Sequence, residues 1–178
     1  MKAQLLVSAL CLTLFSTYGI AGDKEGVYVG IKAGTLKVDV SDTGLDADNA
    51  NTFSLVGGYQ FSNKFAAELE FIPTTDIDVS LGGVKAGTVS VQTVGVYGAY
   101  RIQPDGTPAY FKVRLGLLSE QVDGKSSITG NSTSSSDSGL SFGVGAGFDV
   151  ASNMMIEAEY TLIEQDVDFI SVGLNVKF

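Results

Sequence analysis

The chain has 178 residues, 44% of them hydrophobic and 17% charged, with 22 glycines, three prolines, one cysteine, no histidine and no tryptophan. That length suits one domain, the apolar content is too high for disorder, and no Gly-X-Y period marks a collagen. A net charge of −9 argues against nucleic acid as partner, and the absence of histidine removes the commonest general base and metal ligand.

Met1 and Lys2 open a short basic region, followed by the apolar run Leu5 to Phe15 and then Gly19-Ile20-Ala21. Small residues at −3 and −1 suit signal peptidase, so residues 1–21 are expected to be a cleaved signal peptide and residues 22–178 the mature domain. The apolar run is too short to cross a bilayer as a helix. Cys11 does not make a lipoprotein, because Ser8-Ala9-Leu10 lacks leucine at −3 and a small residue at −1. Once the leader is removed no cysteine remains, and 10 basic residues stand against 20 acidic ones.

Beyond Ala21 no run of 18 apolar residues appears, and the recurring pattern has a period of two. Eight strands are predicted, at about 26–40, 52–61, 65–79, 86–102, 109–121, 139–150, 154–164 and 168–178. Asn63-Lys64, Gln103 to Pro108 and Ser152-Asn153 are short turns, whereas polar loops near 41–51 and 122–138 are long. In the third strand Pro73 cannot donate a ladder hydrogen bond and marks the expected rim. Alternation through Ile77, Val79 and Leu81 then meets Gly82-Gly83, which predicts a hairpin over Asp76 to Thr88 that projects beyond the sheet. In the fourth strand Val89 and Val91 take one face and Val94, Val96 and Tyr100 the other, which predicts a bulge near Gln92-Thr93. The last strand alternates most cleanly: Ile170, Val172, Leu174, Val176 and Phe178 are separated by Ser171, Gly173, Asn175 and Lys177. An even strand count puts both termini of the barrel domain on the side of the short turns.

Alternation is shared by soluble barrels with an apolar inside and membrane barrels with an apolar outside. Aromatic residues favour the second. Phe61, Phe65, Tyr100, Phe111, Phe148 and Phe178 fall at the short-turn ends, and Phe53, Phe142 and Phe169 near the opposite ends, as two girdles at membrane interfaces would. The polar face carries both signs of charge: Lys32, Glu68, Glu70, Arg101, Lys112, Arg114, Glu120, Glu157, Glu159 and Lys177. Facing small residues such as Gly143, Gly145 and Gly147, these side chains are expected to fill the narrow lumen of an eight-stranded barrel as a network of opposite charges.

The leader, the eight alternating segments and the ending Leu174-Asn175-Val176-Lys177-Phe178 resemble Gram-negative outer-membrane β-barrels. Val94-Gly95-Val96-Tyr97-Gly98-Ala99-Tyr100-Arg101 and Gly143-Val144-Gly145-Ala146-Gly147-Phe148 are similar, more narrowly, to the small OmpA/OmpX-type barrels. The resemblance implies an all-β, eight-stranded antiparallel up-and-down transmembrane barrel in the outer membrane, surrounded by lipid and lipopolysaccharide. It also implies that Val172, Leu174, Val176 and Phe178 are the assembly signal read by the barrel-assembly machinery. The peptidoglycan-binding module of full-length OmpA-like proteins is not expected here.

Several chemical motifs are weighed and set aside. The pairs Glu68/Glu70 and Glu157/Glu159 have the makings of a glycosidase acid and base, yet they lie beside Lys and Arg with no cleft for a sugar. Asp39, Asp42, Asp46 and Asp48 cluster around the first loop, but Ala50 and Asn51 break the spacing of a calcium-binding loop. Gly143 to Phe148 lacks the G-x-G-x-x-G spacing of a nucleotide loop. Asn131-Ser132-Thr133 is a glycosylation sequon in pattern only, since bacterial export bypasses that pathway. Serines from Ser126 to Ser141 have no histidine to activate them, and the enzymes that resemble this fold depend on one.

The expected protein is therefore a non-enzymatic, monomeric barrel without cofactor or metal. Its expected work is envelope integrity, adhesion or surface recognition, with the hairpin 76–88 and the loop 123–138 as contact elements. A strand edge in that hairpin is expected to be open to a partner strand. A small channel or carrier for ions or hydrophobic compounds is the alternative.

Overall fold

A computed structural model describes residues 25–38, 46–47, 49–81, 84–126, 132–164 and 167–178. The leader expected at 1–21 lies outside the described residues. Nine strands run through the described chain: β1 (Gly26–Val38), β2 (Asp46–Ala47), β3 (Ala50–Gln60), β4 (Phe65–Leu81), β5 (Val84–Ile102), β6 (Ala109–Ser126), β7 (Ser132–Ala151), β8 (Met154–Glu164) and β9 (Val167–Lys177). Apart from the two-residue β2, they form one antiparallel sheet in the order β4-β3-β1-β9-β8-β7-β6-β5, and pairing of β4 with β5 closes it. An eight-stranded up-and-down barrel results, with no free edge along its closed part. Its first and last strands pair with each other from Tyr28↔Lys177 to Val38↔Val167, so the start of β1 and the end of β9 lie together at the short-turn end.

Alternation decides which side of the wall each residue takes. Outward point Ile31, Leu55, Val96, Leu115, Leu117, Leu140, Val144, Ile156, Val172 and Leu174, all large, apolar and exposed. From Phe53 to Phe61 this band runs over eight residue steps, along β3 and into the turn that follows it. That is about 26 Å along the strand and about 20 Å along the axis at a tilt of about 40°, close to the apolar height a bilayer requires.

At the long-loop end the strands differ from expectation. The segment expected as loop 122–138 is largely strand: β6 continues to Ser126 and β7 begins at Ser132. The projecting hairpin is not alone either, because β5 stays paired with β6 up to Gly87↔Ser126. Two hairpins, β4–β5 and β6–β7, thus join into one four-stranded wall that rises past β1, β3, β8 and β9. Its β4 side is met by β2, through Asp46↔Ser80 and Ala47↔Val79.

The bulge falls at the expected height but on the facing strand. β5 keeps an unbroken register with β6, and the irregularity lies in β4 between Ile72 and Thr75. Pro73 and Thr74 stand there against the single residue Gln92, because a proline cannot complete the ladder. The extra residue turns Ile77 and Val79 inward, where both are buried. Val89 and Val91 point inward and Val94 and Val96 outward by plain alternation.

Candidate functional site

The lumen is stacked in layers. In its middle, four cations and four anions are packed side by side: Lys32, Arg101, Lys112 and Arg114 with Glu68, Glu70, Glu157 and Glu159, every one at most 4% exposed. Arg114 holds the centre. One terminal nitrogen, Nη1, lies 2.5 Å from Glu70 Oε2; the other, Nη2, lies 2.6 Å from Glu159 Oε1 and donates to Thr161 Oγ1 at 2.7 Å. Its guanidinium carbon stands 4.1 Å from the centroid of the Tyr97 ring. Lys112 reaches three carboxylates, at 2.7 Å from Glu157 Oε2, 2.9 Å from Glu159 Oε2 and 3.2 Å from Glu68 Oε1. Lys32 joins Glu159 at 2.9 Å and Glu70 at 3.3 Å, and Arg101 meets Glu157 at 3.2 Å.

Hydroxyls complete the layer. Tyr28 donates to Glu68 at 2.6 Å, Tyr110 to Glu157 at 2.7 Å and Ser54 to Glu70 at 2.6 Å. Each of the four carboxylates is held by at least two cations, so none is left as the base of a hydrolytic pair. Charge in this layer balances, which is what makes its burial tolerable.

Glycines make the room. Across the ladders Tyr28 faces Gly58, Tyr97 faces Gly116, Tyr110 faces Gly147, Arg114 faces Gly143 and Lys32 faces Gly173. A Cβ on Gly143 would lie 2.8 Å from both Cγ and Nε of Arg114, and one on Gly58 or Gly147 would enter the facing tyrosine ring. The three inward tyrosines were not foreseen from sequence. Their signal was there, as an aromatic on the polar parity of a strand whose neighbour offers glycine.

Above the ionic layer the lumen turns apolar, contrary to a polar interior throughout. Leu36, Ile72, Ile77, Val91, Leu118, Ile163, Val167 and Phe169 form one buried cluster at the long-loop end. Phe169 in particular is 0% exposed, so it belongs to this cap and not to the outer girdle where its position suggested. The reason is parity: Phe169 shares its face with Ser171, Gly173 and Asn175. Glu120 is buried beside the cap, two residues beyond Leu118. Lys177 instead lines a polar vestibule of about 440 Å³ at the short-turn end, with Gln60, Lys64, Arg101, Tyr110 and Asp149.

On the outside, Phe61, Phe65, Phe111, Phe148 and Phe178 are all exposed at the short-turn end. Phe65 packs on Tyr100 at 5.0 Å between ring centroids, and Tyr59 meets Phe61 edge-on at 5.0 Å. Phe53 and Phe142 are exposed towards the opposite end. Val172 and Leu174 face outward, while the Phe178 amide donates to Val27 O at 2.8 Å and so ties the last residue to the first strand.

An apolar outer belt bounded by aromatics, around a lumen filled with charges and capped by hydrocarbon, defines a membrane-spanning β-barrel with a plugged interior. The family comparison makes this specific. The chain belongs to the outer membrane protein beta-barrel domain family, whose model matches residues 7–178. No curated protein matches the chain in sequence. Among solved structures it is similar to Neisserial surface protein A, at 17% identity and a TM-score of 0.66 over 86% of this chain and 97% of that one. It is also similar to OprG of Pseudomonas aeruginosa, at 15% and 0.61 over 88% and 98%, and to Ail, the attachment invasion locus protein of Yersinia pestis, at 22% and 0.57 over 87% and 98%.

Proposed function

We propose that this protein is a non-enzymatic, monomeric barrel of a Gram-negative outer membrane that holds a surface wall for adhesion, recognition or envelope integrity. Residues 1–21 direct export, and residues 22–178 assemble among outer-membrane lipid and lipopolysaccharide. Val172, Leu174, Val176 and Phe178 serve as the signal to the assembly machinery, and the aromatic ring of Phe61, Phe65, Tyr100, Phe111 and Phe148 seats the barrel at the inner interface. The lumen charges act as a plug.

One observation carries this reading: four strands continue together past the rest of the barrel, a rigid outward sheet that a simple pore has no use for. The chain's acidity also bears on what it recognises. Ail is seen with the heparin analogue sucrose octasulfate, but a net charge of −9 here, with Asp76, Asp78 and Asp123 on the wall, repels a polyanion.

Deletion of residues 123–138 tests the reading. The shortened protein is expected to keep the heat-modifiable gel mobility of a folded barrel while its cells lose attachment to the surfaces the parent binds. Unchanged attachment sinks the proposal. The rival, a small channel, is tested by single-channel recording on refolded protein. Conductance steps that vanish in Glu157→Gln or Arg114→Met would establish it instead.

A further inference from the structure

We infer that the vestibule at the short-turn end binds a small organic molecule by a single carboxylate or phosphate group, which Arg101 receives at the floor. The site lies on the far side of the ionic layer from the wall. It goes beyond the surface-recognition reading and does not depend on it.

Arg101 is the least neutralised cation of the layer. Lys32, Lys112 and Arg114 each touch two or three carboxylates, whereas among the described residues Arg101 meets Glu157 alone. That carboxylate is also held by Lys112 and by the Tyr110 hydroxyl, both at 2.7 Å. The other terminal nitrogen, Nη1, donates to Met155 Sδ at 3.1 Å and to Gln60 Oε1 at 3.4 Å. Neither partner is charged; a thioether is a weak acceptor, and the amide contact is long. The Nε–H is buried and finds no acceptor among the described residues. A guanidinium carries five donors in a fixed fork and bonds most strongly to a carboxylate or phosphate. Here the fork is 4% exposed and flanked by the rings of Tyr28 and Tyr110, at 5.4 and 4.9 Å.

The vestibule brings an oxyanion within its reach. Arg101, Gln60 and Met155 all line the cavity, which puts Nη1 at its floor. A volume of about 440 Å³ exceeds what a bare ion fills and matches the pockets of small organic ligands.

Charge narrows the choice of ligand. Lys64 and Lys177 stand with Arg101 in the lining, against Asp105 and Asp149. Asp149 Oδ2 accepts from Gln103 Nε2 at 3.0 Å. The lining is thus positive on balance, in a chain of net charge −9. Acids of the wall do not act at this distance. Asp76 stands opposite Ser90, about 36 Å from Arg101 along β5 and several Debye lengths away. The two aspartates nearby repel a second anionic group, so a polyanion is disfavoured.

The test uses the full isotope-labelled chain in lipid nanodiscs and follows the Arg101 Nε–H resonance by NMR. Three probes are titrated. Glycerophosphoglycerol stands for the phosphodiester of a lipid headgroup, N-acetylalanine for the carboxylate of a peptide end, and inorganic phosphate for the bare ion. Saturable shifts in the millimolar range are expected with glycerophosphoglycerol, N-acetylalanine or both, and the one that binds names the source. Inorganic phosphate is expected to bind distinctly more weakly. Arg101→Lys keeps the charge, and with it the balance of the layer, but loses the fork; binding read by the neighbouring Gln60 side-chain amide should weaken at least about fivefold. At the rim, Lys64→Gln should weaken binding about twofold and Asp149→Asn tighten it by a similar factor. These two variants carry the test should Arg101→Lys fail to fold. The inference is overturned if neither organic probe gives a saturable shift, or if inorganic phosphate binds as tightly as they do. Binding left unchanged by Arg101→Lys, or by both rim variants, overturns it as well.

Discussion

Arg114 and Gly143 face each other across the β6–β7 ladder, and the arginine stem occupies the space that any side chain at 143 would need. The contact lies between the centre of the ionic layer and β7, a strand of the projecting wall. Space in the lumen and charge in the lumen are therefore a single constraint, and it can be probed from either side.

Gly143→Ala puts a Cβ at 2.8 Å from Arg114 Cγ and Nε and must displace the guanidinium from Glu70 and Glu159. A loss of about 1–3 kcal/mol is expected in urea unfolding from vesicles. Gly57→Ala is the matched control, since nothing lies within 4 Å of its added carbon. It should change stability by less than about 0.5 kcal/mol.

Removing Arg114 alone leaves three cations for four buried carboxylates. Arg114→Met is expected to cost about 3–5 kcal/mol, the range for a broken buried pair. Adding Glu70→Gln restores the balance, so the double variant should be more stable than Arg114→Met by itself. A double-mutant cycle in urea reads this directly. A double variant no better than the single would mean that packing, not charge balance, holds the layer.

Phe169 and Phe142 are register neighbours of Thr161 and Leu162 on opposite sides of the wall. Phe169→Ala empties part of the apolar cap and is expected to cost about 3–5 kcal/mol. Phe142, 44% exposed on the lipid side, should lose distinctly less on the same change. Equal losses would place Phe169 in the girdle after all.

Phe178 is 70% exposed and its amide closes the ladder onto Val27. Because the backbone bond survives a change of side chain, Phe178→Ser should refold in detergent at near-parental yield. In cells its assembly into the outer membrane is expected to fall several-fold, measured as the heat-modifiable fraction. A parallel drop in both settings would assign Phe178 a purely structural part.

Much of this architecture is legible in the one-dimensional pattern. A period of two is a local property, so the outward belt from Ile31 to Val172 and the inward placement of Lys32, Glu68, Glu157 and Arg114 follow from parity alone. Polar residues alternating with large apolar ones, and aromatics at the strand ends, were enough to turn the barrel inside out relative to a soluble one. The absence of histidine bears on chemistry in the same direct way.

What parity does not carry is height and partnership. Val89, Val91 and Ile77 look like ordinary strand residues until the barrel closes and brings them level with Leu36, Ile163 and Phe169 as a cap. The serine-rich stretch 132–138 reads as loop because its local β-propensity is low, and only pairing with β6 makes it strand. The pattern of β5 points to a bulge opposite its true position in β4, because a slip in register belongs to two strands and only the ladder says which one holds the extra residue. Local alternation sets the faces of each strand; closure of the sheet sets which faces meet, since contacts between residues over 100 positions apart, such as Lys32 with Glu159, exist only once β1 has found β9.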